Sequence, residues 1–359
     1  MDLATVDTAR KTMRRGGFAT RRDAESALGK VLEYERSGLH VDDRETVAEY
    51  LRRWLQVKAL ELKPTTMAGY EDYVAKDLVP ALGALRLEEL SHRHIALYIR
   101  DQLGRDRGAT TLRRCVATLS SALGDAVRQH RLSHNPARYA TVPRSPKYEP
   151  VCWTPAEAAR FLRYCADQGD RLTNLFEVLV GTGLRKGEAL ALHWEDVNLD
   201  DGVLLVRHTL SNINNTTPVF TAPKTKSSHA WVCLSPRVTA AFRDQATRQP
   251  GRDLVFTREN GQPLRPEYVL RHFHALTAET GLPRIRVHDL RHFAATTMIS
   301  ANVPLAMVSK TLRHSTVSTT TQVYTHLLLP AAQQAVGAIA DALDNAGQES
   351  GDHTATTNP

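Results

Sequence analysis

Between residues 46 and about 132, apolar side chains return every third or fourth position, the spacing that puts them on one face of a helix. The segments "TVAEYLRRWLQVKA", "KPTTMAGYEDYVAKDLVPALG", "SHRHIALYIRDQLG" and "ATTLRRCVATLSSALGDAVRQHRL" each carry it. Four amphipathic segments with short polar joints predict a small all-helical domain over 44–132. The pattern stops at "SHNPARYATVPRSPKYEPV", residues 133–151, where four prolines and no period predict a linker.

Beyond the linker the period returns in a different mixture. "TPAEAARFLRYCADQ" opens with a threonine cap and an acid three positions on, which satisfies free amides at a helix start. An apolar helix near 172–181 follows, then the turn "GTGLRKGEALAL", a strand "GVLLVRHTL" and a hairpin around "TAPKTKSSHAWVCL". Helices resume from about 265, interrupted near 281–286. The fold class is therefore mainly α with a small antiparallel β-sheet, the second domain being α+β over 152–344. Residues 345–359, "AGQESGDHTATTNP" and the residue before it, are polar and predict a disordered tail. Ahead of the first domain, residues 1–40 hold "GGFATRRDAESALGKVLEYERSG", a helix from about 22 to 36 and too little apolar surface to fold alone.

Composition narrows the classes. A chain of 359 residues with 42% hydrophobic positions fills more than one core. No apolar run reaches membrane-spanning length and the first residues lack a signal-peptide core, which predicts a cytoplasmic protein with no membrane partner. Cys115, Cys152, Cys165 and Cys233 show no CxxC spacing, against a disulfide framework or zinc ribbon. Net charge is +7, and arginines cluster at Arg14, Arg15, Arg21 and Arg22 and again at Arg105, Arg107, Arg113, Arg114, Arg128 and Arg131. Such clusters suit phosphates, because the guanidinium stays charged and offers paired donors; a solvated basic face is the alternative.

Several positions have chemistry to offer. Arg185 follows "GTG" at a helix start, where free amides also favour an anion; Glu188 or Glu195 could instead pair with it. "VHDLRHFAATTMIS" sets His288 and Arg291 on one helical face, with His292 one turn beyond His288. Zinc is discounted there, since the HExxH pattern needs a glutamate where Asp289 stands and no third ligand cluster lies nearby. Lys224 and Lys226 fall at the tip of the predicted hairpin, where they can reach a DNA phosphate or stay solvated. "LRHSTVSTTTQVYTHLL" sets Tyr324 among threonines and valines, with His314 ahead and His326 behind. Taken alone, a buried ring is the ordinary reading of such a tyrosine.

In the order Arg, Lys, His-x-x-Arg, His, Tyr, the chain resembles the tyrosine recombinases, the phage integrase family. The matching stretches are "GTGLRKGEALALHWEDV", "PKTKSS", "HDLRH" and "LRHSTVSTTTQVYTH". The resemblance covers the second domain, and the helical domain is similar to the family's core-binding module. It implies that Arg185 and Arg291 clamp a scissile DNA phosphate and that His288 is the candidate base. It further implies that His314 orients the phosphate, that Lys224 acts as general acid with Lys226 as runner-up, and that Tyr324 is the nucleophile forming a 3′-phosphotyrosine link. Such a reaction uses neither metal nor ATP and no other cofactor. Partners follow from the same resemblance: double-stranded DNA attachment sites, a homotetramer working through a Holliday junction, and an accessory excisionase or DNA-bending protein, all at the nucleoid.

One position departs from the family's pattern. Where relatives have glycine before the third-motif histidine, this chain has Arg313; a glycine would ease a bend, and an arginine could add a phosphate contact. Near the end, Val336, Ile339, Ala340 and Leu343 form a stripe that packs on its own domain or docks on a neighbouring protomer. "GGFATRRDAESAL" resembles the last strand and helix of an arm-type DNA-binding domain, which implies a truncated domain or a start codon placed too late. The arm favours the integrase of a prophage or integrative element over a Xer-like resolvase. A DNA-binding remnant without catalysis and a type IB topoisomerase are the other readings.

Overall fold

The computed structural model describes residues 2–3, 11–12, 16–36, 45–144, 151–213, 216–223 and 230–313. Lys224, Lys226, His314, Tyr324, the stripe around Ile339 and the tail lie outside them. The chain divides into two compact units, Met1–Lys147 and Tyr148–Pro359. Among the described residues no helix is long and apolar enough to cross a membrane.

The first unit begins with β1 (Asp2–Leu3) and β2 (Lys11–Thr12), an antiparallel pair, and α1 (Arg21–Arg36). The sequence reading expected a lone strand there; strands of two residues carry no legible alternation. Then comes α2 (Val47–Lys58), whose start is fixed reciprocally: the Glu49 amide donates to the Thr46 hydroxyl at 3.2 Å, and the Thr46 amide to the Glu49 carboxylate at 2.9 Å. The next helix runs as α3 (Pro64–Tyr73), a π-helical turn over Val74–Leu78, and α4 (Val79–Leu82). Pro80 accounts for the widened turn, since it has no N–H and its ring collides with the carbonyl a turn back. A 3₁₀ turn, Leu87–Glu89, leads to α5 (His92–Gly104) and α6 (Ala109–Arg128).

Val47, Leu51, Leu78, Ile95, Leu112, Leu119 and Leu123 form the core of this unit. Two of its aromatic side chains reach polar partners. Tyr50 donates to the Ala122 carbonyl at 2.6 Å, and the Trp54 indole to Asp125 at 2.7 Å. The proline-rich stretch begins folded onto this unit, with Asn135 donating to the Ser120 carbonyl at 2.8 Å and Ala137 only 3% exposed.

The second unit opens with α7 (Pro155–Asp167), capped by Thr154 and Glu157 as the sequence predicts, and α8 (Thr173–Thr182). A single turn, α9 (Lys186–Ala189), and a 3₁₀ turn, Trp194–Asp196, precede the strands. These are β3 (Val197–Asn198), β4 (Val203–Leu205), β5 (Thr209–Ile213), β6 (Thr217–Thr221) and β7 (Trp231–Cys233). All pairings are antiparallel, in the orders β3-β4-β7 and β5-β6.

The expected strand over 202–210 is thus two strands, and the tip of the expected hairpin around Lys224 lies outside the described residues. β6 pairs with β5, whereas β7 pairs with β4, so the chain passes from the two-stranded sheet to the three-stranded one between β6 and β7. Residues 224–229, with both candidate lysines, stand between β6 and β7 in the sequence, outside the described residues. Among the described residues four helices follow: α10 (Pro236–Arg248), α11 (Pro266–Glu279), α12 (Asp289–Ser300) and α13 (Leu305–Thr311). The sequence reading passed over α10, although Ser235 and Pro236 form an ordinary helix start, Ser235 accepting from the Val238 amide at 3.4 Å.

Aromatic rings set the centre of this unit. Phe161, Phe176 and Phe273 meet pairwise at 5.3 to 5.6 Å between centroids, and Trp153 lies 5.1 Å from Phe161. Rings at these separations add to the roughly 1.5 to 3 kcal/mol that burying each large apolar side chain contributes. A satellite cluster of Ala294, Ala295, Ile299, Val308 and Leu312 fastens α13 to α12. The chain just before His314 is therefore anchored to the helix that carries Arg291.

Candidate active site

Arg185 owes its position to glycine. α8 ends on Gly183 at φ +64°, a left-handed conformation, and the Gly183 amide closes the helix on the Leu179 carbonyl at 3.1 Å. A Cβ at Gly183 would stand 2.5 Å from Leu312 Cδ2 and 3.2 Å from Ala294 Cβ, so both conformation and space require glycine. The turn delivers Arg185 as the residue preceding α9. Its amide donates to Glu188 Oε2 at 2.9 Å and its Nη1 to Glu188 Oε1 at 2.7 Å. Of the two partners left open by the sequence, Glu188 is the one used; Glu195 lies 3.5 Å from Arg207.

Glu188 is 2% exposed and accepts a second guanidinium, that of Arg313, at 2.6 Å. Burial alone would raise this carboxyl, but Arg313, the Arg185 amide and the Arg185 guanidinium outweigh it and hold it below the usual carboxylate range. The idea that Arg313 reaches out to a phosphate is thereby corrected. The residue is 2% exposed and its fork points inward to Glu188. Its backbone is left-handed, φ +57°, the conformation for which the family's glycine is suited.

The second arginine stands on α12. Asp289, fully buried, accepts from the Arg286 amide at 2.8 Å and from the Arg286 guanidinium at 3.0 and 2.7 Å, which fixes the helix start. The sequence reading weighed Asp289 only as a missing zinc-site glutamate; an acid opening a helix is the signal that could have identified it. Two residues on, Arg291 is 3% exposed; its Nη1 donates to the Gly183 carbonyl at 2.7 Å and its Nη2 to the Leu312 carbonyl. Arg291 thus fastens together the turn before Arg185 and the end of α13.

His288 caps the same helix and meets His292 edge to face, ring centroids 5.3 Å apart. Surrounding protein, then the neighbouring His292 and Arg291, lower its pKa to about 4, although the residue keeps an exposed side. The imidazole is therefore neutral at neutral pH and able to accept a proton. An anion bound at the arginines would oppose their effect and strengthen it as a base.

Of the six candidate residues, Arg185, His288 and Arg291 are gathered here; Lys224, His314 and Tyr324 lie outside the described residues, as does Lys226. Arg313 immediately precedes His314. Among the described residues His193, Asp196 and His208 bring ligand-type atoms within 4.8 Å of one another. Arg207 already meets Asp196 there at 2.6 Å, and its charge opposes a second cation.

The arginines noted in the helical unit divide into two kinds. Arg107 pairs with Asp77 at 2.9 Å, and Arg131 with Glu45, whose carboxylate also meets Arg53 at 2.6 Å. Arg128 and Arg105 pair with Asp125 and Asp101. Arg113 and Arg114 are exposed on α6, with Arg113 donating to the Ala109 carbonyl at 3.3 Å. Part of the basic cluster is thus structural.

Comparison with known proteins gives the class. Residues 153–329 match the phage integrase family, and residues 46–101 match the phage integrase N-terminal SAM-like domain. A "Tyrosine recombinase XerC-like" protein of Caldanaerobacter subterraneus subsp. tengcongensis is 26% identical, with 86% of each chain covered. An "Integrase" of Saccharopolyspora erythraea is 24% identical over the same shares. Among solved structures, the Tn1549 transposon integrase in complex with a circular intermediate DNA superposes with a TM-score of 0.73 at 20% identity, over 82% of this chain and 99% of that one. A lambda integrase tetramer bound to a Holliday junction gives 0.62 at 18% identity, over 86% and 88%. The chain belongs to the phage integrase family of tyrosine recombinases.

Proposed function

We propose that the chain is a site-specific DNA recombinase, the integrase of a prophage or integrative element, that cuts and rejoins DNA through a 3′-phosphotyrosine intermediate. The observation that carries this reading is the joining of Arg291 to Gly183 across 108 residues, which brings two arginines and His288 to one locus. Two guanidiniums beside a phosphodiester match the charge that builds on its non-bridging oxygens during displacement.

In this reading the Tyr324 hydroxyl attacks the scissile phosphorus, its proton passing to His288, whose neutral imidazole can take it. The bond from phosphorus to the 5′ oxygen breaks, and Lys224 protonates that leaving oxygen. His314 donates to the phosphate. The phosphotyrosine conserves the energy of the broken bond, so rejoining by a 5′ hydroxyl needs no ATP.

The solved integrases named above are in complex with a circular intermediate DNA and, as a tetramer, bound to a Holliday junction. By that likeness, four protomers work on two attachment sites in double-stranded DNA, and an excisionase or DNA-bending protein assists. The helical segment 44–132 is read as the core-binding domain, 152–344 as the catalytic domain, and the cytoplasm, at the nucleoid, as the place of action. Relatives named XerC keep a chromosome or plasmid resolvase as the second reading.

The test uses nicked duplexes from the DNA flanking the chain's own gene, which trap cleaved intermediates. A protein-DNA adduct that survives denaturing electrophoresis, persists with chelator and vanishes in Tyr324→Phe is the expected result. Binding without any adduct would instead identify a DNA-binding remnant.

A further inference from the structure

Arg313 holds a position that is unfavourable twice over. Its left-handed backbone, φ +57°, is disfavoured for a residue with a side chain. Its guanidinium and its partner carboxylate are both removed from water, at 1% and 3% exposure, a desolvation that pairing does little more than repay. Neither feature is required by the turn, which glycine would make with less strain.

The use of Arg313 lies in what else Glu188 touches. That carboxylate also holds Arg185, through the guanidinium at 2.7 Å and the backbone amide at 2.9 Å. One buried carboxylate facing one arginine would neutralise it, and a DNA phosphate would have to compete with Glu188 for the same fork. With Arg313 present, the set of Arg185, Glu188 and Arg313 carries a net charge of +1. The two arginines differ in access: the Arg185 side chain is 38% exposed and the Arg313 side chain 1%. Arg185 is therefore the member of the set that an incoming phosphate can meet.

We propose that Arg313 is a positioning residue, a resident counter-ion that saturates Glu188 so that Arg185 gives its charge to the scissile phosphate. This rests on the recombinase reading above. The same ion pair ties the backbone just ahead of His314 to the start of α9, so that the two segments keep one register. Arg313 does not touch DNA in this role; it acts through Glu188 and Arg185.

The experiment measures adduct formation on the nicked duplexes, at saturating DNA, for Arg313→Met, Arg313→Lys and the double variant Arg313→Met with Glu188→Gln. Losing the counter-ion leaves Glu188 to bind Arg185, so Arg313→Met should slow cleavage by about tenfold or more, while DNA affinity changes by less than about threefold. Removing the carboxylate's charge as well should bring the double variant back to within about threefold of the parent rate, and Arg313→Lys should retain intermediate activity. Thermal unfolding of every variant is followed in parallel, and the double variant carries the test if Arg313→Met folds poorly. Wild-type rates in Arg313→Met, or equal slowness in single and double variants, would overturn the assignment. A parent chain that binds these duplexes but forms no Tyr324-dependent adduct would overturn the recombinase reading itself, with every variant blank rather than ranked.

Discussion

Arg291 donates to the carbonyl oxygen of Gly183 at 2.7 Å, and the same guanidinium reaches the Leu312 carbonyl. One planar fork thereby sets the distance between the turn that delivers Arg185 and the helix end that leads to His314. Lysine keeps the charge but offers a single point donor. Arg291→Lys should lower the adduct rate by about a hundredfold. It should also destabilise the fold by about 1 to 3 kcal/mol through the carbonyl left unpaired. Single-turnover cleavage and urea unfolding measure the two effects separately.

Gly183→Ala should damage the same junction from the other side. The added methyl meets Leu312 Cδ2 at 2.5 Å on a backbone at φ +64°, so both terms oppose it. A loss of about 2 to 4 kcal/mol in denaturant unfolding is expected. Replacing Gly169, equally left-handed at φ +62° but with nothing within 4 Å of the added Cβ, should cost only the backbone part.

Glu188→Ala removes the partner of two arginines and strands Arg313 without a counter-charge. About 3 to 5 kcal/mol of stability should be lost. A variant that unfolds like the parent would mean that Arg313 finds water or another acid on truncation.

His288 gives stability a defined pH dependence. Its ordinary value is 6.5 and its folded value about 4, so between these the unfolded chain binds more protons. Its contribution is complete above about pH 6.5 and is lost as pH falls through about 4, and His292, also lowered, adds in the same direction. Urea midpoints at pH 7.5, 5.5 and 4.5 should fall in that order, with a shallower fall for His288→Gln. A steeper fall in the variant would reverse the assignment.

Lys224→Ala should slow cleavage far more than Lys226→Ala on the nicked duplexes. The reverse ranking would give the general-acid role to Lys226.

Helix starts were the most legible feature of the chain. Thr46 with Glu49 and Thr154 with Glu157 announce α2 and α7, because a cap is a local interaction written within four residues. Where partners lie far apart, the sequence said less. Glu188 stood among two candidates for Arg185, and nothing nearby revealed that Arg313, 125 positions on, would share it. A glycine-like backbone at residue 313 could be inferred from the family's pattern, whereas the inward direction of its side chain depends on tertiary packing. The partners of β6 and β7 were hidden for a related reason: alternation indicates strands but not which strand each one pairs with.

No side chain fits between α9 and β5. A Cβ at Gly187 would meet the Thr209 hydroxyl at 2.6 Å and the Leu210 carbonyl at 2.7 Å, so the helix turn that begins at Arg185 rests directly on the strand's backbone. β5 is also hydrogen-bonded along its length to β6, from which the chain departs toward Lys224. Strand pair and helix turn consequently behave as a single lever with little play at the joint. A displacement of β5 would therefore be passed directly to the turn that begins at Arg185.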